Sequence, residues 1–115
     1  MKNNVKLQHE AIAKIIKAMA HPSRLFIIDE LHKGERCVSD LADKIGADVS
    51  TISRHLSILK NARLVTDVKK GKSIFYYLRV PCIIDFVKCM EDVLSANAKE
   101  HTKILRCCKK IRREL

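Results

Sequence analysis

Residues 48–65, DVSTISRHLSILKNARLV, constrain the chain more than any other stretch. On a helix, Ile52, Leu56 and Leu59 recur at i, i+4 and i+7 and form one apolar stripe. The other side carries Val49, Ser50, Thr51, Ser53, Arg54, Ser57 and Lys60, with no carboxylate among them. A solvated helix face more usually mixes Glu with Lys. Short hydroxyls allow close approach to a sugar–phosphate backbone, and an Arg reaches past them to a base edge. Taken alone, the stretch also fits an ordinary amphipathic helix with a Ser-rich outer side. Its flanks decide between the two.

Upstream, VSDLADKI (38–45) forms a short helix with Val38, Leu41, Ala42 and Ile45 inward, and Gly46 closes it. Asp48 stands at the N-cap of the next helix, where its carboxylate can accept the N–H of Ser50 or Thr51. Residues 38–60 thus have the helix, short Gly-containing turn and helix spacing of a helix-turn-helix. After Asn61 the period changes to two. Segments 64–69 and 73–79 are rich in Val, Ile, Phe and Tyr, and Lys70-Gly71 lies between them. They predict a β-hairpin whose tip carries Lys69, Lys70 and Lys72. A basic hairpin directly after such a helix is a wing, suited to a phosphate backbone.

Further upstream, residues 7–19 align Ile12, Ile15, Ile16 and Met19 on one helical face. His21-Pro22 breaks that helix, with His21 capping and Pro22 opening a second helix over 22–32. The second helix presents Leu25, Ile28 and Leu31 to a core, and Gly34 ends it in the left-handed conformation. Pro81 opens a last helix over 81–106 with Ile83, Val87, Met90 and Leu94 in a stripe, and CCKKIRREL beyond it is expected to fray. A winged three-helix domain does not need both terminal stripes, so the helices at 7–19 and 81–106 are expected to form a homodimer interface. Two recognition helices would then meet a palindromic DNA operator. The expected fold is mainly α with a small β-hairpin: four helices, the hairpin and a fifth helix, in a single domain spanning residues 1–115.

Composition supports this reading through the placement of charge. The 115 residues carry a net +10. Residues 50–80 hold seven Lys/Arg against one acid, and residues 99–115 hold seven against two. A polyanion partner follows, because Lys and Arg that neutralise phosphates release counterions. No stretch approaches a membrane span and no signal-peptide core is present, so a cytoplasmic protein that does not enter membranes is expected. Its five Cys then read as thiols. An enzyme is not expected: no nucleophile–base spacing, Gly-rich phosphate loop or paired-carboxylate cluster occurs.

The segments AHPSRLFIIDEL (20–31), GERCVSDLADKIG (34–46), STISRHLSILKNARLV (50–65) and KKGKSIFYYL (69–78) resemble the ArsR/SmtB family of dimeric winged-helix repressors. The resemblance covers more than half the chain. It implies a homodimer that binds operator DNA and leaves it on meeting an inducer. By motif position it implies Val49, Ser50, Ser53 and Arg54 in the groove, with Lys70 and Lys72 at the wing tip. One departure is Arg63, where the family commonly has Gly before the Leu-Val that starts the wing. A left-handed backbone there would cost Arg roughly 1 kcal/mol.

The inducer is less legible. The arsenic-type motif resembles Glu-x-Cys-x-Cys-Asp-Leu, and here Cys37 stands but Ser39 replaces the second thiol. The zinc-type Asp-x-His set on the last helix is absent, since Val87 follows Asp85 at that spacing and His101 is alone. The remaining thiol candidates are Cys107 and Cys108, adjacent in a cationic tail that favours thiolate, with Cys37, Cys82 and Cys89 as weaker candidates. Thiolates of this kind suit a thiophilic metalloid such as As(III). The alternatives are a redox- or persulfide-responsive repressor using the same cysteines, or a winged-helix regulator with no thiol-linked effector. For Cys82 and Cys89 the plainer reading is that they are small apolar side chains of the dimer interface.

Overall fold

The computed structural model describes residues 2–97 in two compact units divided at Pro81–Cys82. The first contains α1 (Asn3–Met19), α2 (Pro22–Lys33), β1 (Arg36–Cys37), α3 (Val38–Ile45), α4 (Val49–Asn61), β2 (Val65–Lys70) and β3 (Ser73–Leu78). The second contains α5 (Ile83–Ala96). The expected extension of this last helix to residue 106, with His101, Cys107 and Cys108, lies outside the described residues.

The core of the first unit is built from the helical stripes. Ile52, Leu56 and Leu59 of α4 are fully buried, with Ile27, Ile28 and Leu31 of α2 and Leu41 and Ala42 of α3. Each buried Leu or Ile contributes about 1.5–3 kcal/mol. The α2 stripe corrects the sequence reading at Leu25, which is 38% exposed. The positions 25, 28 and 31 step by three, so they walk around a 3.6-residue helix instead of staying in line. The inward column is 24, 27, 28 and 31, and Arg24 holds its first place.

Local signals fix the ends of the helices. His21 caps α2, its Nδ1 accepting the Ser23 N–H at 3.0 Å, with Pro22 in the first turn. Gly46 closes α3 in the left-handed region, at φ +78°, and sets the turn into α4. Two capping expectations are corrected. Gly34 ends α2 at φ 153° and ψ 175°, an extended positive-φ conformation outside the left-handed helical well. Asp48 is the N-cap of α4 but makes no side-chain capping bond; its carbonyl accepts the Ile52 N–H at 3.1 Å.

The sheet has three strands in the order β1-β3-β2, both pairs antiparallel. The hairpin falls where the alternation placed it, with Lys70 opposite Ser73. Gly71, the first of the two loop residues, has φ +63°. Among the loop pair it alone has positive φ, the pattern of a type II′ turn. The third strand, β1, has two residues and no periodicity, so the sequence did not reveal it. It pairs Arg36 with Tyr76 and Cys37 with Phe75.

Glu30 of α2 is a buried carboxylate, 4% exposed. Lys44 Nζ lies 2.7 Å away, Lys33 Nζ 3.1 Å and Arg36 Nε 3.8 Å. Burial alone would raise its pKa. The hydrogen bonds and charges of Lys44 and Lys33 outweigh that effect and hold the carboxyl below its ordinary value. One side chain thereby joins α2, β1 and α3.

Between α4 and the wing, Arg63 adopts φ +62°. Its N–H donates to Lys60 O at 2.9 Å, and the Leu64 N–H donates to Leu59 O at 3.0 Å. These two bonds are a Schellman motif, normally closed by Gly. Its usual apolar contact is served by Leu64 and Leu59, both buried. A left-handed Arg costs roughly 1–2 kcal/mol, partly recovered because Gly is more flexible when unfolded. We therefore expect Arg63→Gly to raise unfolding stability by about 1 kcal/mol, read as a higher urea midpoint at unchanged slope. Leu56→Ala, in contrast, should lower stability by about 2–5 kcal/mol in the same assay.

Candidate nucleic-acid interface

With Ile52, Leu56 and Leu59 fixed inward, the helical period decides what α4 turns outward. Ser50, Arg54, Ser57 and Asn61 follow at i, i+4, i+7 and i+11, and all four are exposed. Val49 and Lys60 are exposed on one flank, and Ser53 is half-buried there. Thr51 is half-buried on the other. Asn61 is an addition to the sequence reading: it completes the row at the last position of α4. No acid lies on this surface of α4. Among the described residues, Arg54 has no carboxylate partner.

The basic residues of the wing divide into two kinds. Lys69 and Lys72 are exposed, and no carboxylate among the described residues pairs with either. Lys70 is ion-paired to Glu35 at 2.6 Å, and Lys60 of α4 to Asp67 of β2 at 3.0 Å. The latter pair straps the end of α4 to the first strand of the wing. Neither pair is legible in the sequence, because the partners are brought together only by the fold.

A second cluster lies behind α4. Arg24 Nε donates to His55 Nδ1 at 3.3 Å, and Arg24 Nη1 donates to Ala18 O at 2.9 Å. The His21 and His55 rings are tilted at 45° with centroids 4.5 Å apart. These contacts bind the end of α1 and the start of α2 to α4. Since Nδ1 of His55 accepts, its proton sits on Nε2. Burial, followed by the charges of His21, Arg24 and Arg54, holds the His55 pKa below its ordinary value. His55 is thus a packing residue of the scaffold. His9 and His32 are exposed.

Cys37 is half-buried at the junction of β1 and α3, and Cys82 and Cys89 are exposed. Among the described residues no group of three or more His, Cys, Asp and Glu is arranged to hold a metal ion. No helix among them is long and apolar enough to cross a membrane.

A helix-turn-helix followed by a hairpin, in this order, defines a winged helix-turn-helix protein. The model of the bacterial regulatory protein arsR family matches residues 21–67. The HTH-type transcriptional regulator NmtR of Mycobacterium tuberculosis is 42% identical over 67 residues, 58% of this chain and 56% of that one. The chain therefore spans little more than half of that relative. The transcriptional repressor SdpR of Bacillus subtilis is 34% identical over 76 residues, 66% of this chain and 84% of SdpR. Among solved structures, the homodimeric winged helix-turn-helix DNA-binding domain Mb0332 of Mycobacterium bovis superposes with a TM-score of 0.72 at 27% identity. That match covers 88% of this chain and 93% of the other. The protein belongs to the arsR family, and its relatives are transcriptional regulators and not enzymes.

The His55 environment carries a pH signature. Its folded pKa lies below the unfolded value, so the unfolded chain takes up the proton first as pH falls. Stability should decline as pH drops through the ordinary histidine value of 6.5 and level off below the depressed folded value. The Glu30 contribution is lost in a separate window, as pH falls through the carboxylate range. Urea unfolding at stepped pH should show the first decline in the wild type and its attenuation in His55→Gln.

Proposed function

We propose that this chain is a transcriptional repressor that binds a palindromic DNA operator as a homodimer. The observation that carries this reading is the acid-free outward row of α4, Ser50, Arg54, Ser57 and Asn61, beside Lys69 and Lys72 of the wing, which have no carboxylate partner among the described residues. Arg54 reads a base edge in the major groove. Ser50, Ser57 and the half-buried Thr51 and Ser53 seat the helix on the backbone, and the wing lysines hold phosphates. Kinship with a protein named as a repressor and likeness to a homodimeric DNA-binding domain support the same reading.

Dimerisation is supported by apolar surface on each terminal helix. Val5, Ile12, Ile15 and Ile16 lie on one face of α1 and are exposed, and Met90, Val93 and Leu94 of α5 are exposed as well. A second copy of the chain would cover them.

For release from DNA, we favour a thiol-linked effector, either a thiophilic metalloid such as As(III) or a sulfur oxidant. The exposure of Cys82 and Cys89 supports it. Seven residues along a helix separate them by roughly 10 Å, too far to share an ion, so a chelate would draw on Cys107 and Cys108 or on the partner copy.

Selection of bound duplexes from a random pool should yield an inverted repeat, and sedimentation should give a dimer. Arg54→Ala should weaken operator binding by about 10- to 100-fold, with little effect on mixed-sequence DNA. Lys69→Gln and Lys72→Gln should weaken both alike, each reducing the salt slope by about one. Monomeric behaviour, or operator affinity unchanged by Arg54→Ala, would overturn the reading.

A further inference from the structure

Lys70 ends β2 at the tip of the wing, yet its ammonium does not extend past the tip. Nζ lies 2.6 Å from Glu35 Oε2 and 5.6 Å from the centroid of the Phe75 ring. Phe75 pairs with Val68 of β2 on one side and Cys37 of β1 on the other. The Lys70 side chain therefore runs back across the sheet to the residue just before β1. Both members of the pair stay open to solvent, at 55% and 42% side-chain exposure. A pair so exposed is weak and exchanges readily. Lys69 and Lys72, its neighbours, have no such tether among the described residues.

We propose that Glu35 stands in for a DNA phosphate: it holds Lys70 folded back in the free protein and gives it up when the wing meets a duplex. The proposal rests on the DNA-binding reading above. A carboxylate and a phosphate present the same anionic oxygens to a compact ammonium, so the two compete for one cation. Duplex DNA wins because its charge is dense and its condensed counterions are released. Glu35 is then a positioning residue that lowers the affinity of the wing for any polyanion, and Lys70 is a phosphate contact in reserve. Asp67 is less exposed, at 27%, and ties α4 to β2 within one corner of the fold, so its pairing with Lys60 is structural.

The test is a double-mutant cycle of wild type, E35Q, K70Q and E35Q/K70Q. Each protein is titrated into a fluorescein-labelled mixed-sequence duplex, with anisotropy read between about 50 and 200 mM salt. E35Q should bind about two- to five-fold tighter than wild type. Its plot of log affinity against log salt should be steeper by up to about one. The gain should vanish in the K70Q background. An equal gain with and without Lys70 would mark only the removal of a nearby negative charge and would overturn the proposal. Equal affinities and slopes for all four proteins would overturn it while leaving the DNA-binding reading intact. Absence of binding by all four would overturn the DNA-binding reading, and the inference with it.

Discussion

The outward face of α4 is decided by what its inward face cannot avoid. Ile52, Leu56 and Leu59 are fully buried, and a helix turned by even one position would push one of them into water. The loss of burial, about 1.5–3 kcal/mol per side chain, fixes the rotation of the helix. Ser50, Arg54, Ser57 and Asn61 are consequently presented as one row. Their presentation costs no dedicated interaction, because the core imposes it.

Around that helix, polar contacts act as fasteners. Arg24 takes the first inward place on α2 and bonds to His55, so that the ends of α1 and α2 are tied to α4. Glu30 gathers cations from α2, β1 and α3. Glu30 thus braces its junction, while Arg54, Lys69 and Lys72 keep no carboxylate partner among the described residues.

Strong periodicity made α3, α4 and the hairpin legible from sequence, nearly to the residue. The outward row was legible too, since it is the complement of a clear apolar stripe. Where the signal was weak, the reading slipped. Leu25 reads as inward because three apolar residues at a spacing of three resemble a stripe over so short a stretch. The strand β1 has no pattern of its own and exists only because β3 offers an edge. Arg63 was legible as a departure from glycine, and the left-handed backbone is present there, held by the Schellman bonds. The return of Lys70 to Glu35 joins residues 35 positions apart, and no local rule announces such a contact.

The junction at residues 62–64 has one more consequence. Three residues, pinned by the Schellman bonds, the Lys60–Asp67 strap and the bond from the Arg79 N–H to Leu64 O at 3.0 Å, leave α4 and the hairpin no independent hinge. On the DNA-binding proposal, helix and wing would act as the two jaws of a fixed-gauge caliper. A duplex gripped by both would have to bring its groove and backbone to that gauge, and the strain of doing so would vary with the stiffness of its base steps. Such a protein would discriminate among sequences at positions where no side chain touches a base.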